Sequence, residues 1–304
     1  MNLTPAEASG AYWDKRSSQK EAETRRWFNS EIILRHCNQK ICGNPLPVRG
    51  MGLLVRLKEL TKEAPLKKGV SIGCGAARTE IELLAQGVVS SFVLYEASKV
   101  RIDQAHEYAT KRGLVDRIEF NHVQDFSLPE VKGVDFVFWK AALHHMLDTE
   151  AAVEWSLNTL SDGGMFVIDE YVGPNRFQWT ETSLEASDRI RAALPERYFY
   201  NAQMPQRPHS RLTPRVNRES LIKRDPTEAA DSENIIPAIK KCFPDAEIIT
   251  TGGAAYHLAL RGIMNNFTPE DDPVVNLVLL VDDLLERAGE YHFATVIARK
   301  KASG

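Results

Sequence analysis

One glycine-rich stretch, residues 69–80, restricts the fold of this chain more than any other. Its β-branched residues Val70 and Ile72 predict a short strand, Gly73 and Gly75 predict a turn, and an amphipathic segment follows. The glycines allow the backbone to turn tightly and to approach a ligand, and the first turn of a helix offers unpaired N–H groups. This order predicts a nucleotide-binding turn. A lone G-x-G pattern is a weak signal, so the prediction depends on the rest of the chain.

The composition is that of an ordinary globular protein with a substantial core. The 304 residues carry a net charge of −3, with 43% hydrophobic and 26% charged residues, which gives no basic field for a nucleic-acid backbone. No apolar run suits a membrane span and the N-terminus lacks a signal-peptide pattern, so we expect a cytoplasmic location. Four scattered cysteines predict neither a disulfide framework nor a metal site.

Strand and helix patterns alternate along the chain. Short apolar strands follow the opening strand at residues 91–96, 118–123, 133–139 and 165–169, and two more are predicted at 246–251 and 292–298. Helices with one apolar face separate them, for example over residues 99–112 and 149–160. This alternation favours an α/β fold with a mostly parallel sheet and helices on both faces.

The same patterns divide the chain into four segments. Residues 1–50 mix aromatic and charged residues and are expected to form an N-terminal helical cap or lid, with helices merely docked on the core as the alternative. Residues 51–172 carry the glycine turn and five strands, and residues 245–304 supply the last two strands and helices. Residues 173–244 lack a strand repeat and contain many arginines and prolines, which predicts a mainly helical substrate-binding insertion after strand five.

Polar residues follow the predicted strands where each strand ends. Glu96 closes strand two about 20 residues beyond the turn, where nucleotide-binding α/β folds place a carboxylate for ribose hydroxyls. Asp125 follows strand three, and the pair His144 and His145 follows strand four. Tyr171 follows strand five. Because parallel strands present their carboxyl ends at one edge of the sheet, we expect these side chains to share a site.

This order of motifs resembles that of the class I S-adenosylmethionine (SAM)-dependent methyltransferases. The resemblance rests on residues 70–75 as the first motif, Glu96, Asp125, residues 141–145 and residues 160–165. It implies a Rossmann-like sheet of seven strands closed by an antiparallel hairpin, with SAM as methyl donor and S-adenosylhomocysteine (SAH) as product. In the family, a carboxylate at the position of Asp125 takes the adenine amino group. The implied cofactor-binding residues are Gly73, Cys74, Gly75, Glu96, Ala97, Asp125, Phe126, Trp139 and Lys140.

Departures from related patterns refine this interpretation. Dinucleotide-binding folds place a third glycine where this chain has Arg78, because the pyrophosphate needs close helix packing there. SAM has no pyrophosphate, so Arg78 favours SAM. The family often has an acid at the end of strand one, where Val70 or Ser71 stands, so the methionine amino group is expected to bind backbone carbonyls or the N-terminal segment. The Asn/Asp-Pro-Pro-Tyr/Phe signature of nucleic-acid amino methyltransferases is absent, which disfavours base methylation.

Methyl transfer from a sulfonium mainly requires alignment of the nucleophile, and a hydroxyl acceptor also needs a general base. By its place after strand four, His145 is the preferred catalytic base, with His144 and Tyr171 as further candidates. The alternative is that one histidine packs in the core or caps the following helix. The residues predicted to bind substrate are Arg176, Tyr256 and His257.

The acceptor is suggested by the arginines of the insertion. Their excess indicates a phosphate or carboxylate group, with a solvated surface balanced by acids as the alternative. We therefore expect O-methylation of a small anionic or polar molecule. A SAM-binding protein without transfer activity, an N-methyltransferase, and methylation of protein or RNA are the alternatives. Nucleic-acid and membrane partners are not expected, and a homodimer is an allowed assembly.

Overall fold

The computed structural model describes residues 4–18, 26–123 and 127–302. Within these ranges seven strands form one sheet in the order β3-β2-β1-β4-β5-β7-β6. The strands are β1 (Leu66–Ile72), β2 (Val89–Glu96), β3 (Ile118–His122), β4 (Val134–Lys140), β5 (Leu160–Tyr171), β6 (Glu247–Gly252) and β7 (Phe293–Arg299). Strands β1 to β5 pair in parallel, while β7 is antiparallel to both of its neighbours. The predicted seven-stranded, mostly parallel sheet with an antiparallel closing hairpin is confirmed.

Helices cover both faces of the sheet, as predicted. They are α1 (Pro5–Ser18), α2 (Glu31–Cys42), α3 (Met51–Thr61), α4 (Arg78–Ala85), α5 (Lys99–Lys111), α6 (Thr149–Thr159), α7 (Glu181–Ala193), α8 (Arg218–Arg224), α9 (Ile235–Cys242), α10 (Tyr256–Ala259) and α11 (Asp272–Arg287). Within the described ranges, no helix is both long enough and apolar enough to cross a membrane.

The side chains of strand β4 contribute to the hydrophobic clusters on both faces of the sheet. Phe136 and Phe138 pack with α3, α4 and α5 on one face, and Val137 and Trp139 pack with α6 and α9 on the other. All four side chains are fully buried. Successive side chains of a strand point to opposite faces, so a strand covered on both sides reads as a continuous apolar run. The central strands could therefore be recognised without any polar alternation.

Helix α1 lies against the start of α5, at the edge of the sheet where the parallel strands end. Its first turn carries a capping box: the N–H of Glu7 donates to Thr4 Oγ1 (3.3 Å), and the N–H of Thr4 donates to Glu7 Oε2 (2.8 Å). At the other end, the Asp14 carboxylate accepts from the Ser98 hydroxyl (2.6 Å) and from the N–H of Val100 (3.1 Å). These bonds fix an N-terminal helix above the strand ends, as a cap requires.

Two predicted elements have different bounds. Strand β5 begins at Leu160, and its pairing with β4 shifts around residues 161–164, where Gly163 adopts a φ of +77°. The apolar pattern also predicts a helix over residues 256–265. In the structure this helix ends at Ala259, and Gly262 in the turn that follows has a φ of +77°. A glycine inside an apolar periodic run allows this break at no steric cost.

Candidate active site

A cavity of about 1240 Å³ opens at the carboxyl edge of the sheet. The turn after β1, the end of β2 and the histidines after β4 line its floor. Its other walls come from the N-terminal segment, α8 with the loop that follows it, and the region around α10. Ligands of open α/β sheets bind at this edge, so the topology itself selects this cavity as the candidate site.

The glycine turn after β1 is a tight cradle. Gly73 has a φ of +64° and Gly75 a φ of +58°, a region that side chains with a Cβ rarely adopt. A Cβ on Gly73 would lie 2.8 Å from the Cβ of Ala142. The N–H of Gly73 donates to the carbonyl of Tyr95 (2.8 Å), which ties the turn to β2. The cradle therefore needs glycine for both backbone conformation and space, and Cys74 lines the cavity between them.

Glu96 at the end of β2 organises the turn. Its Oε2 accepts from the N–H of Gly75 (2.6 Å) and its Oε1 from the N–H of Ser98 (2.8 Å). Burial raises the pKa of this carboxyl, although both bonds favour the charged form. Each carboxylate oxygen can accept a second hydrogen bond, so Glu96 can hold the turn and still receive a ribose hydroxyl. Ala97 also borders the cavity and packs against Gly10 of α1.

A second carboxylate, Glu80 on α4, was not predicted. The hydroxyl of Ser71 donates to its Oε1 (2.9 Å), so an acid from the helix lies behind the strand position where the family often has one. Burial raises the pKa of Glu80 to about 7. Glu80 lines the cavity. The sequence had assigned the ligand ammonium to backbone carbonyls or the N-terminal segment, and Glu80 is a further acidic group at this wall of the cavity.

The other predicted cofactor-binding residues differ in whether they lie at the cavity. Asp125 and Phe126 lie outside the described residues, although Val123 and Ser127 on either side line the cavity. Lys140 lines the cavity and its ammonium pairs with the Asp169 carboxylate. The indole of Trp139 is fully buried and donates to Ser156 Oγ (3.0 Å) in the core, so the geometry does not support the expected contact of this ring with the methionine end of a cofactor.

His144 is held between two carboxylates. Its Nδ1 lies 2.6 Å from Glu170 Oε2, and its Nε2 lies 3.6 Å from Glu228 Oε1. Burial alone would lower its pKa, but the charge of Glu170 and then of Glu228 raises it to about 10. Glu170 also anchors the turn, since its Oε1 accepts from the N–H groups of Ala142 (2.5 Å) and Leu143 (2.6 Å). His144 is therefore an imidazolium at neutral pH and cannot serve as a base.

His145 has the opposite environment. Burial, and next the positive charge of His144, lower the pKa of His145. Its Nδ1 lies 2.9 Å from Thr227 Oγ1, and that hydroxyl is 2.8 Å from Asp225 Oδ1 and 3.1 Å from Ser9 Oγ. The single hydroxyl proton of Thr227 favours the carboxylate, because charge-assisted bonds are the stronger ones. Nδ1 of His145 must then carry the proton, which leaves a lone pair on Nε2; the tautomer is inferred from this network.

The same residues have the spacing of a metal site. Ligand atoms of His144, His145 and Glu228 lie within 4.8 Å of one another. No metal site was predicted from the sequence, and Glu228 was not among the predicted site residues. The hydrogen bonds to Glu170 and Thr227 account for the positions of both rings without an ion.

Three other predicted residues have roles that differ from those expected. Tyr171 does not line the cavity; its hydroxyl donates to the carbonyl of Pro174 (3.0 Å) and burial raises its pKa, so it is unsuited to act as a base. Arg176 also lies off the cavity wall and donates from Nη1 to the carbonyl of Glu228 (3.0 Å), so it positions that loop. Tyr256 borders the cavity, but its hydroxyl donates to the Thr251 carbonyl (3.0 Å).

His257 does line the cavity, as predicted for a substrate residue. Burial, followed by the charges of His292 and Arg261, lowers its pKa well below the usual value, so the ring is neutral. Its Nδ1 is buried and has no hydrogen-bond partner among the described residues. Its ring instead packs in an aromatic cluster with Trp179 and Phe293.

The sequence of residues 225–231 resembles a capped helix start and suggests no site residue, so the contribution of this segment was missed. The loop instead supplies Asp225, Thr227 and Glu228 to the histidine pair, and Asp231 accepts from the N–H of Thr149 (3.0 Å) at the start of α6. The signal available was the density of acids and hydroxyls beside a proline. The partners of Thr227, Glu228 and Asp231 lie 82 to 84 positions away, so no local pattern could connect them.

Comparison with known proteins agrees with this architecture. Residues 67–211 match the family model described as a methyltransferase domain. The solved structure of geranyl diphosphate C-methyltransferase from Streptomyces coelicolor A3(2) is similar with a TM-score of 0.55, at 11% identity over 98% of each chain. Phosphoethanolamine N-methyltransferase 2 from Haemonchus contortus is similar with a TM-score of 0.48, at 16% identity over 88% of this chain and 57% of its own.

At 11% identity the likeness to the C-methyltransferase structure shows the fold alone, and the domain match covers just under half of the chain. The sheet order, and the glycine cradle with the Glu96 carboxylate, agree with this fold and with the domain match. Residues 67–211 are thus similar to a methyltransferase domain, and the chain has the Rossmann-like fold of the class I SAM-dependent methyltransferases.

Proposed function

We propose that this methyltransferase transfers the methyl group of SAM to a hydroxyl of a small anionic molecule, with His145 as the general base. The observation that carries the proposal is the hydrogen-bond chain from Asp225 through Thr227 to His145 Nδ1, which leaves a lone pair on Nε2 of a neutral histidine in the cavity wall. A base needs that protonation state near neutral pH.

The residues at the strand ends fit the cofactor. Gly73 and Gly75 let the backbone approach it, Glu96 is placed for the ribose hydroxyls, and Glu80 supplies a negative charge for the amino group of the methionine moiety. When bound, SAM supplies a methyl group on a positively charged sulfur with a good leaving group. The protein's remaining tasks are to align the acceptor and to exclude water.

Proton transfer follows from the environment of the two histidines. His145 Nε2 takes the proton of the acceptor hydroxyl, and the positive charge that results lies beside the Glu228 carboxylate, which interacts electrostatically with His145. Asp225 orients Thr227, which keeps the Nδ1 proton in place. His144 stays protonated against Glu170, so the neighbouring ring remains the better base.

The N-terminal cap closes the site. Trp13 of α1 meets the ring of His145 edge-on, with centroids 6.0 Å apart, and the Arg101 guanidinium lies 3.9 Å from the centroid of the Trp13 ring. Ser9 of the same helix contacts Thr227. Helix α1 therefore touches both the cofactor edge and the proposed base. This supports the lid interpretation of residues 1–50 and the exclusion of water during transfer.

Label transfer tests the function directly. Purified protein is incubated with methyl-labelled SAM and a cell extract separated into small-molecule and macromolecular fractions. We expect label in the small-molecule fraction, in a product whose methyl group is on oxygen. Label in the macromolecular fraction would assign the activity to protein or RNA, and tight SAH binding without any transfer would favour a non-catalytic SAM-binding protein.

Glu96→Ala is expected to weaken SAH binding by roughly 10- to 100-fold, because hydrogen bonds to a charged group contribute about 1.5–3 kcal/mol. The substitution removes the ribose acceptor and also frees the N–H of Gly75. Isothermal titration calorimetry measures the change. Glu119→Ala, an exposed glutamate on β3, is the matched control and should bind SAH normally. Equal affinities of the two variants would remove Glu96 from the cofactor site.

Thr227→Val is expected to free the His145 ring from one tautomer, because Nδ1 loses its hydrogen-bond acceptor. ¹⁵N NMR of histidine-labelled protein should show a single tautomer with protonated Nδ1 in the parent and a mixture in Thr227→Val. Thr227→Ser keeps the hydroxyl and should restore the parent pattern. A tautomer unaffected by valine would mean that Thr227 does not position the base.

A further inference from the structure

We infer that the cavity contains an anion subsite, formed by Arg26, Arg49, Arg224 and Arg261 near Phe28, that binds a phosphoryl group of the acceptor. The inference rests on the proposed function, since it names the class of molecule that is methylated: a phosphate or diphosphate ester. The four side chains come from the N-terminal segment, the end of α8 and the turn after α10, and all four line the cavity.

Aromatic rings lie against three of these arginines. The guanidinium of Arg49 lies 4.7 Å from the centroid of the Phe28 ring, and that of Arg26 lies 5.8 Å from it. The guanidinium of Arg261 lies 5.3 Å from the ring centroid of Trp179, which is itself buried. Stacking on a ring fixes the plane of a guanidinium and leaves its N–H groups available to an oxyanion.

Among the described residues, the charges of Arg224 and Arg261 are not balanced by a direct ion pair. In the described part of the chain, no carboxylate lies within ion-pair distance of Arg224 or Arg261, whereas most other arginines of the insertion are already engaged. Burial, and then the charges of Arg224 and Arg26, lower the pKa of Arg261, which shows that these guanidinium groups repel one another. A bound anion would relieve that repulsion.

The balance of charge around the whole cavity also favours an anionic ligand. Its described lining includes seven arginines and one lysine, against the three glutamates Glu80, Glu96 and Glu228. Each of these glutamates already has a partner: Ser71, the N–H of Gly75, or His144. The described lining of the cavity as a whole is therefore positively charged.

Several guanidinium groups together match a phosphoryl group better than a carboxylate. A phosphate ester carries close to two negative charges and three terminal oxygens, and it can accept two parallel N–H bonds from each of several arginines. A single carboxylate carries one charge and two oxygens. Geometry and charge thus favour phosphate or diphosphate as the recognised group.

Titration with inorganic pyrophosphate tests the subsite without knowledge of the acceptor. Calorimetry is done with the full chain, with and without saturating SAH, and acetate serves as the monoanionic comparison. We expect pyrophosphate to bind at least tenfold more tightly than acetate, and Arg224→Gln and Arg261→Gln each to weaken pyrophosphate binding about tenfold, as for loss of one charge-assisted bond. SAH affinity should change less than about twofold in both variants, because neither arginine is in the cradle.

Arg189→Gln is the matched control. This arginine is exposed on α7, pairs with Glu185 at 3.9 Å and does not line the cavity, so its loss should leave pyrophosphate binding intact. Equal pyrophosphate affinity in all three variants, or equal binding of pyrophosphate and acetate to the parent, would overturn the subsite. SAH binding is measured separately in the same samples, so failure of the subsite is distinguishable from failure of the methyltransferase proposal.

Discussion

His145→Ala is expected to lower kcat by about 10²- to 10⁴-fold, the usual contribution of a positioned general base. SAH affinity should be nearly unchanged, because the ring contacts Thr227 and Trp13 and not the glycine cradle. The pH dependence of kcat is a second test of His145 as the base. Burial and the charge of His144 lower the pKa of His145 from 6.5, so the base is unprotonated at pH 7 and parent activity should fall only as the pH drops below about 6.5. Label transfer from SAM across pH 5 to 8 measures both.

The control is His106→Ala, an exposed histidine on α5 that lies outside the cavity, and it should retain parent kinetics. A normal kcat in His145→Ala would mean either that the base lies elsewhere or that the acceptor needs none. The spacing of His144, His145 and Glu228 permits one more outcome. If a chelator abolishes parent activity and a divalent metal restores it, these residues are metal ligands and the assignment of a base is wrong.

The fold could be predicted because its signals are local. Each strand of the parallel sheet is a short apolar run between helices with one apolar face, and β4 is apolar throughout because both of its faces are covered. The edge of the sheet that binds ligands follows from topology alone. Glu96 could therefore be assigned from its place at the end of β2, and the structure puts it against the glycine turn.

The environment of the histidine pair could not be predicted, because it depends on contacts across the chain. Sequence placed His144 and His145 together at the end of β4, but only the structure separates them: one faces Glu170 and Glu228, the other Thr227. The pKa of His144 is raised and that of His145 is lowered by neighbours that come from different elements. Adjacent residues of the same type thus acquire opposite charge states.

The composition of the insertion did not locate the proposed anion subsite. The arginine-rich insertion was interpreted as a surface for an anionic acceptor, yet Arg191 is buried and donates to the carbonyls of Ala259 (2.7 Å) and Arg261 (3.2 Å), and Arg197 pairs with Asp271 at 2.6 Å. These arginines hold the insertion to the core. Of the insertion's arginines, Arg224 lines the cavity, and the other cations of the cluster come from segments with no local excess of charge. A count of residues does not show which way each one points.

Glu170→Ala is expected to lower the free energy of unfolding by about 3–5 kcal/mol, the usual cost of removing one partner of a buried ion pair. The substitution leaves the imidazolium of His144 without its closest carboxylate and the N–H groups of Ala142 and Leu143 without an acceptor. Glu170→Gln keeps an oxygen for these N–H groups, but it removes the charge and puts an N–H₂ group in place of the oxygen that faces His144. Its loss should still be smaller than that of Glu170→Ala. Urea unfolding at pH 7 measures both variants against Glu150→Ala, an exposed glutamate on α6 whose loss should change the free energy by less than about 0.5 kcal/mol.

The pH dependence identifies the charge of His144 as the cause. The folded-state pKa of His144 is raised from 6.5 to about 10, so the stability from this pair is fully present below pH 6.5 and is lost as the pH rises through 10. The difference between the parent and Glu170→Gln should therefore be largest near pH 6 and shrink toward pH 10. A difference that stays constant over this range, or a loss in Glu170→Ala no larger than that in Glu150→Ala, would show that Glu170 acts through packing and that His144 is not held as an imidazolium.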